Sequence, residues 1–387
     1  MAIPETSALQ EMGRLRDVRE PRKAGESRTL HEALSVCQLC PRACGVDRTA
    51  GVRGVCGAGG GVRLARAALH FWEEPCISGD SGSGTVFFSY CPLRCVYCQN
   101  HDIAVGEAGT EVSVRRLARI YLELQEQGAR NINLVTPTHY APQVVESLAL
   151  ARAAGLALPV VYNTSGYETP AAVRLLKGTV DVYLTDFKYA RAETARRYSS
   201  APDYPQVALA ALDAMVEQVG APVFEGAGDA ATGEAVAGGE APAAASAGTM
   251  GEEPPHAVSA EAMGEEAPHA ASAEAAGDEP PRLLRGVVVR HLLLPGRLEE
   301  SKEVVRLLHE RYGGRILLSL MNQYTPIRHF ERYPELNETV PASDYEALLD
   351  YADELGIEEY YWQEGGADSE SFIPPFDQTG VLGPELG

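Results

Sequence analysis

The stretch FFSYCPLRCVYCQNHD, residues 87–102, places Cys91, Cys95 and Cys98 directly after an apolar run. Such a run is typical of a buried strand, so the three thiols share one short loop at the strand's end. A closed structural zinc site uses four ligands, and a redox switch uses two thiols. Three thiolates instead hold three corners of a [4Fe–4S] cluster, which normally takes four protein ligands. The stretch therefore predicts a cluster whose fourth iron is open to a substrate or cofactor.

A zinc site is the alternative for the same loop. His101 follows Cys98 by three residues, so Cys91, Cys95, Cys98 and His101 would supply the ligands of a Cys3His site. A zinc loop does not account for the β/α pattern that follows it along the chain. We therefore favour the iron–sulfur interpretation.

Composition limits the class of protein. The chain of 387 residues is 45% hydrophobic, enough for one large domain or two ordinary ones. Its net charge of −21 argues against a nucleic-acid partner bound over a broad surface. Because no apolar run of about eighteen residues and no secretory signal is visible, we expect no membrane span and a cytoplasmic location. Thiols stay reduced there, so the eight cysteines, all between residues 37 and 98, are expected to bind metal rather than form disulfides.

From residue 84 onward, short apolar runs alternate with segments of helical periodicity. Near-continuous apolar runs suit a parallel sheet buried on both faces. Ser113 and Thr169 are predicted N-caps of two helices, and Pro170 fits the first helical position. Six such units predict an α/β fold, an open or partly closed barrel. The predicted strands are 84–90, 131–135, 159–163, 180–187, 286–294 and 315–320.

One connection in this series is too long for a single β/α unit. Residues 222–283 are rich in Ala, Gly, Glu and Pro and contain a tandem repeat, GEEPPHAVSAEAM (251–263) and GEEAPHAASAEAA (264–276). Few large apolar residues and an acidic bias predict a disordered insertion within the barrel. The predicted organisation is a polar tail (1–30), a Cys-rich metal-binding region (31–76), the barrel (84–363) with its insertion (222–283), and a C-terminal tail (364–387).

A second group of cysteines precedes the barrel. Its spacing is Cys37-x2-Cys40-x3-Cys44, with Cys56 after eleven more residues. Four thiolates in a short glycine-rich span suit a small knuckle held by one metal centre. Zinc, which we favour for the wide last spacing, and an auxiliary iron–sulfur cluster both fit, and unligated structural thiols are the third interpretation. Cys76 is predicted to be a small buried hydrophobic residue.

The barrel loop resembles the signature of a known family. Cys91-x3-Cys95-x2-Cys98, with the aromatic Tyr97 before the last thiol, is similar to the signature of the radical S-adenosylmethionine (radical SAM) superfamily. The order of strand, cysteine loop and helix, followed by further β/α units, is similar to the partial (β/α)6 barrel of that superfamily. The resemblance implies this barrel for the present chain.

Further motifs are similar to one branch of the superfamily. NTSG (163–166) and DFK (186–188), together with the Gln-Asn pair after the last cysteine, resemble the pyruvate formate-lyase activating enzymes. Apart from the insertion, residues 37–363 look like a branch of homologues of these enzymes. The sequence departs from the family at Thr136-Pro137-Thr138, which stands in place of a glycine-rich motif.

The resemblance implies a mechanism and a set of cofactor contacts. A [4Fe–4S] cluster would chelate S-adenosylmethionine, and one electron, from a donor such as flavodoxin or ferredoxin, would cleave it to a 5′-deoxyadenosyl radical. An activase-type enzyme acts on a glycine of a protein substrate. Two other functions stay open: radical modification of a small molecule or peptide, and a zinc-organised binding protein without turnover. The implied cofactor contacts are Tyr97, Thr136, Thr138, Asn163, Thr164, Asp186, Lys188 and Arg290, with no catalytic residue assigned.

Strand geometry constrains two pairs of these side chains. Asp186 and Lys188 flank Phe187 at a strand end, so both are expected to point to one face. Arg290 and His291 are consecutive in a strand, so only one of them can face the barrel interior.

Overall fold

The computed structural model describes residues 30–226, 279–363 and 373–387, and strands and helices alternate in them as the sequence predicts. The strands are β1 (Val62–His70), β2 (Ser83–Phe88), β3 (Thr110–Val112), β4 (Ile132–Val135), β5 (Val160–Thr164), β6 (Val182–Asp186), β7 (Val223–Phe224), β8 (Leu283–Leu292), β9 (Leu317–Met321) and β10 (Tyr360–Trp362). The helices are α1 (Leu30–Ser35), α2 (Pro75–Ser78), α3 (His101–Val105), α4 (Val114–Glu126), α5 (Ala141–Ala153), α6 (Pro170–Leu175), α7 (Ala192–Ser199), α8 (Tyr204–Val219), α9 (Leu298–Tyr312) and α10 (Ala342–Glu354). Each predicted apolar run forms a strand. The tail predicted for residues 1–30 lies, except for its last residue, outside the described residues.

Seven of these strands form a parallel sheet. Their order is β10-β9-β8-β6-β5-β4-β2, and each neighbouring pair is parallel. Parallel neighbours need a crossover, which the helices between the strands supply. The predicted α/β fold is confirmed, and the open sheet is consistent with a partial barrel. The carboxyl ends of these strands share one edge, so the loops that follow them lie along that edge.

Successive residues of each strand alternate between the two sides of the sheet. Tyr162 and Val289 pack in the large core that the sheet shares with the helices. Val161 and Val288 lie on the opposite side, where they pack with Cys76 of α2. We refer to the side that carries Val161 and Val288 as the inner face. By alternation, the residues two positions further along these strands also belong to the inner face.

Two antiparallel strands extend the sheet beyond β2. β1 lies within the predicted Cys-rich region and pairs with β2, Ala67 opposite Val86, and β3 pairs with β1. The boundary predicted between residues 76 and 84 therefore does not separate two structural units. In β1, buried residues are interrupted by half-buried ones such as Arg63 and Arg66. The sequence pattern does not reveal β1, because these arginines interrupt the apolar run that predicts a buried strand.

The predicted helix caps are confirmed. The Ser113 hydroxyl accepts a hydrogen bond from the Arg116 amide (3.0 Å) and caps α4, and the Thr169 hydroxyl accepts one from the Ala172 amide (3.1 Å) and caps α6. Pro170 occupies the first turn of α6. Each cap satisfies an amide that has no partner within its helix. The longest described helix, α8, has 16 residues, and none of the described helices is both long and apolar enough to cross a bilayer.

The segment predicted as a C-terminal tail is folded where the structure describes it, over residues 373–387. Val381 is fully buried, and the Ala67 amide of β1 donates to the Thr379 carbonyl (2.8 Å). The guanidinium of Arg116, which is 4% exposed, donates to four backbone carbonyls of this segment. Backbone acceptors carry no side-chain signal, so the sequence pattern does not reveal this attachment.

The long insertion begins and ends at a strand pair. β7 pairs antiparallel with the first residues of β8. Next to this pair, the Glu225 amide donates to the Arg282 carbonyl (2.8 Å), and their side chains form an ion pair (2.8 Å). Residues 227–278, on which the prediction of disorder falls, lie outside the described residues.

Replacing residues 227–278 by a short glycine–serine linker should leave the melting temperature of the protein nearly unchanged. The reason is that the strand pair at the base is retained, together with Leu283, which is 2% exposed. The matched control removes residues 222–283. It should melt earlier, because loss of a buried leucine costs about 2–5 kcal/mol. A linker variant that melts as early as the control would show that the barrel depends on the replaced residues.

Candidate functional site

The three barrel cysteines lie in the loop between β2 and α3, at the carboxyl edge of the sheet. We call this loop the barrel loop. Cys95 is buried, and Cys91 and Cys98 are half-buried. Tyr90 (φ 75°) and Arg94 (φ 55°) have the left-handed backbone conformation that residues with a side chain seldom adopt. Such a conformation persists where surrounding contacts hold the backbone, so the barrel loop presents its thiols in one fixed arrangement.

The sulfur spacing bears on the kind of metal centre that the loop suits. Among the described residues, no three cysteine sulfurs lie within 4.8 Å of one another. A single zinc ion with Zn–S bonds of about 2.3 Å requires sulfurs about 3.8 Å apart. A four-iron cluster binds one thiolate at each corner and therefore spreads its ligands further than one ion does. The four-iron cluster therefore stays the prediction for this loop.

A half-buried ammonium group lies beside these thiols. Burial raises the pKa of Cys91 to about 11 and of Cys98 to about 12, and Lys188 acts in the opposite direction on both. The Lys188 ammonium pairs with Asp186 at the end of β6 (2.6 Å). Burial works against the ammonium, but Asp186 and the cysteine thiols outweigh it and hold the pKa of Lys188 above its ordinary value. The ion pair confirms that the two residues flanking Phe187 point to one side.

A chain of hydroxyl groups reaches the remaining thiol. Ser199 Oγ lies 3.0 Å from Cys95 Sγ and 2.7 Å from the hydroxyl of Tyr189, which lies 2.8 Å from the hydroxyl of Tyr97. All four residues are buried. Tyr97, predicted as a cofactor contact, thus contributes its hydroxyl to this series of hydroxyl groups. Its ring packs edge-on against the ring of Tyr198, with 6.0 Å between the ring centroids. The sequence carries no signal for the two hydroxyl groups between Tyr97 and Cys95.

The inner face carries a buried ion cluster. Arg290 pairs with Glu73 and with Glu74, the latter through two hydrogen bonds of 2.7 and 2.6 Å. Asn133 donates to the Glu73 carboxylate at 2.8 Å, and the Asn163 amide approaches it at 3.5 Å. Burial acts to raise the pKa of Glu73, but Arg290 outweighs it and holds that pKa below its ordinary value. The guanidinium of Arg290, predicted as a cofactor contact, is ion-paired with two carboxylates.

Two further predictions about side-chain placement are confirmed. His291 is 2% exposed and hydrogen-bonds the Phe187 carbonyl (2.7 Å) and Ser301 (2.8 Å), so of this consecutive pair only Arg290 faces inward. Cys76 in α2 is also 2% exposed, and burial raises the pKa of its thiol to about 12. Cys76 therefore packs as a buried hydrophobic residue.

Thr138 and Thr164 contact a buried carboxyl group. Both hydroxyls donate to the same oxygen of Glu168, which is 1% exposed. Burial raises the pKa of Glu168 to about 7, although both hydrogen bonds favour its charged form. Because Asn163 and Thr164 are consecutive in β5, the structure brings Asn163 but not Thr164 to the inner face. Thr136 (φ 58°) follows β4, and its amide donates to the Asn163 carbonyl (2.8 Å).

The four N-terminal cysteines lie between α1 and β1, three of them buried and one half-buried. We call them the N-terminal quartet: Cys37, Cys40, Cys44 and Cys56. Gly54 allows the chain to pass close to this group, since a Cβ there would lie 2.5 Å from the Cys44 sulfur.

Arg48 is a buried cation beside the N-terminal quartet. It is 1% exposed, and its guanidinium donates to the carbonyls of Gly59 and His139 and lies over the Tyr140 ring at 5.4 Å. Burial raises the pKa of Cys56, and Arg48 works in the opposite direction by favouring the thiolate. A buried cation that hydrogen-bonds neutral groups is costly unless a negative charge lies nearby.

Arg42 joins the N-terminal quartet to the barrel loop. Its guanidinium donates to the Pro92 carbonyl of the barrel loop (3.0 Å). It also donates to the carbonyls of Ser199 (2.9 Å) and Ser200 (2.6 Å) at the end of α7, and lies over the Tyr167 ring at 5.2 Å. Reasoning from sequence motifs misses Arg42, because its partners lie as many as 158 residues away.

Comparison with known proteins identifies the class of the barrel. Residues 85–222, which include the three barrel cysteines, match the model of the Radical SAM superfamily. The chain therefore carries a Radical SAM superfamily domain, as the resemblance implies. The "Uncharacterized protein MJ0674" of Methanocaldococcus jannaschii is 31% identical over 177 residues, covering 43% of this chain and 50% of that protein. The chain thus spans half the length of this relative.

Two crystal structures of Streptococcus suis SuiB are also similar. The structure bound to S-adenosylmethionine has a TM-score of 0.40 and 12% identity, and covers 71% of this chain and 48% of that chain. The second SuiB structure has a TM-score of 0.41 and 13% identity, and covers 73% of this chain and 48% of that chain. The chain spans about half the length of SuiB. Kinship with the activating-enzyme branch stays a prediction.

Glu168→Gln should flatten the dependence of the free energy of unfolding on pH. The pKa of Glu168 rises from the ordinary 4.5 to about 7 in the folded protein, so the folded state binds the proton more tightly. Wild-type stability should therefore fall as pH rises from 4.5 towards 7, by up to about 1.4 kcal/mol per pH unit. The neutral glutamine removes this slope. Urea unfolding at pH 5, 6 and 7 measures it.

The control for this prediction is Glu146→Gln, at an exposed position of α5. This variant should keep the wild-type slope. Parallel stability curves for the wild type and Glu168→Gln would contradict the assignment of Glu168 as a buried, protonated carboxyl group.

Proposed function

We propose that the protein is a radical SAM iron–sulfur enzyme that binds a [4Fe–4S] cluster on Cys91, Cys95 and Cys98. It would reductively cleave S-adenosylmethionine and abstract hydrogen from a substrate. The barrel loop carries the proposal: three thiols on a fixed backbone, at the carboxyl edge of a parallel sheet, in a segment that matches the Radical SAM superfamily. Three protein ligands leave one iron for S-adenosylmethionine.

The charges around the barrel loop fit this pair of cofactors. When bound, the cluster supplies the electron that cleaves S-adenosylmethionine. Lys188 keeps its proton beside the thiols, so it balances thiolate charge and attracts a carboxylate. Asp186, paired with Lys188, offers an acceptor, and Asn163 offers an amide on the inner face. We propose these three residues, with Thr136 at the neighbouring strand end, as contacts of S-adenosylmethionine.

The other predicted contacts are proposed to act through their neighbours. The guanidinium of Arg290 is ion-paired with two carboxylates, and the hydroxyl of Tyr97 is hydrogen-bonded within the series of hydroxyl groups. The hydroxyls of Thr138 and Thr164 donate to the carboxyl group of Glu168. A side chain whose polar atoms are already bonded has little left to offer a ligand. These residues would shape the cofactor site rather than touch the cofactor.

We further propose that the enzyme has an activase-type role. The NTSG and DFK motifs begin in the last residues of β5 and β6, on the same edge as the barrel loop, where a substrate would meet the radical. The substrate would be a glycine of a partner protein, with flavodoxin or ferredoxin as the electron donor in the cytoplasm. Anaerobic reconstitution, reduction and assay of 5′-deoxyadenosine test the cleavage. A glycyl-radical signal on an added candidate protein tests the substrate.

We also propose that the N-terminal quartet binds a second metal centre. The support is Arg48, a buried cation that hydrogen-bonds neutral carbonyls beside Cys56. A zinc ion or an iron–sulfur cluster held by four thiolates carries net negative charge and would balance this guanidinium. Protonated thiols would leave it unbalanced.

Cys91→Ala, Cys95→Ala and Cys98→Ala should each abolish formation of 5′-deoxyadenosine, because each removes one corner ligand of the cluster. Cys76→Ala is the matched control, since Cys76 is buried away from both cysteine groups among apolar side chains. The control should keep its iron content and its activity. Near-normal 5′-deoxyadenosine from any of the three barrel variants would overturn the cluster assignment.

The triple variant Cys91→Ala/Cys95→Ala/Cys98→Ala should still carry metal on the N-terminal quartet. Elemental analysis should find about one zinc, or about four irons with absorption in the visible range, and thereby separates the two kinds of centre. Adding Cys37→Ala and Cys40→Ala should remove this metal. A metal-free triple variant would mean that the quartet is a set of structural thiols.

A further inference from the structure

We propose that Ser199 raises the reduction potential of the barrel cluster through a hydrogen bond to Cys95, and that Arg42 holds the two partners at bonding distance. The inference rests on the proposed function, because it requires the cluster on the barrel loop. It adds two positioning residues, neither of which belongs to a cysteine motif. It also connects the N-terminal quartet to the chemistry of the barrel.

The first step is the direction of the hydrogen bond. Ser199 Oγ lies 3.0 Å from Cys95 Sγ, and Ser199 is 2% exposed. A thiolate ligand has no proton to donate, so the serine proton points to the sulfur. The serine oxygen also lies 2.7 Å from the hydroxyl of Tyr189, which lies 2.8 Å from the hydroxyl of Tyr97. Ser199 therefore ends a buried chain of hydroxyl groups at the sulfur, and hydrogen bonds within such chains strengthen one another.

The second step is the effect on the cluster. A hydrogen bond to a ligand sulfur withdraws electron density from it, and hydrogen bonds to the sulfurs are among the factors that set cluster potentials. The reduced cluster carries one more negative charge than the oxidised cluster, so the bond is stronger in the reduced state. Ser199 therefore makes the cluster easier to reduce. Burial strengthens the effect because no water competes for the sulfur.

The third step is the control of the distance by Arg42. On one side, its guanidinium donates to the Pro92 carbonyl (3.0 Å) and approaches the Leu93 carbonyl (3.4 Å) of the barrel loop. On the other side, it donates to the carbonyls of Ser199 and Ser200, where α7 ends. One planar group thus binds the helix end that carries the donor and the loop that carries the acceptor. Arg42 lies between Cys40 and Cys44 in the sequence, so the segment that carries the N-terminal quartet also carries this positioning residue.

The test is a redox titration of the full-length, anaerobically reconstituted protein, followed by electron paramagnetic resonance. The barrel cluster is recognised by the change in its signal on addition of S-adenosylmethionine. Ser199→Ala should move the midpoint to a more negative potential, lowering the ratio of reduced to oxidised cluster at fixed potential about fivefold, the factor of one net hydrogen bond. Ser199→Thr keeps a hydroxyl and should restore the midpoint. An unchanged midpoint in Ser199→Ala with full iron content overturns the proposal.

If Ser199→Ala assembles its cluster poorly, two further variants test the proposal. Tyr189→Phe keeps Ser199 but removes the hydroxyl group that lies 2.7 Å from its oxygen, and should give a smaller shift in the same direction. Arg42→Gln should also shift the midpoint to more negative potential, whereas Arg196→Gln, the same charge change at an exposed position of α7, should not. An unshifted Tyr189→Phe overturns the role of the hydroxyl chain, and an unshifted Arg42→Gln overturns the positioning role. A wild-type protein that assembles no cluster contradicts the proposed function instead.

Discussion

The guanidinium of Arg290 lies between the carboxylates of Glu73 and Glu74, and this contact ties the segment after β1 to the inner face of the sheet. The two glutamate side chains are 6% and 5% exposed, and a carboxylate withdrawn from water without a partner is strongly disfavoured. The connection from β1 to β2 is thereby held in one position, with Cys76 of α2 packed against the sheet. β2 starts from this fixed connection, and the barrel loop starts from β2.

The same requirement for balanced charge applies around both cysteine groups. Lys188 remains protonated beside the barrel thiols, and Arg48 is buried beside the N-terminal quartet. Lys188 is stabilised by its ion pair with Asp186, whereas the guanidinium of Arg48 hydrogen-bonds neutral carbonyls. Under the proposed function, thiolates on a metal would add negative charge beside both cations, and metal binding and folding would then be thermodynamically coupled.

The features that the sequence predicts correctly are those with local signals. Six of the seven parallel strands are continuous apolar runs, and Ser113 and Thr169 are capping residues at helix starts; the short strand β10 is not predicted. The features that it does not predict join distant segments. Arg290 meets Glu74 across 216 residues. No periodicity or motif encodes which carboxylate a given arginine will meet, because that pairing depends on how the strands stack.

The strand pair at the base of the insertion has a consequence for how the chain varies in length. β7 and β8 bring the two ends of the inserted segment together, and neighbouring Glu225 and Arg282 add an ion pair. With the ends already adjacent, the entropy of closing a flexible loop grows only with the logarithm of its length, about 0.6 kcal/mol for each doubling. This position is therefore permissive: evolution or an engineer can lengthen, shorten or exchange the segment, a whole foreign domain included, at little thermodynamic cost to the barrel.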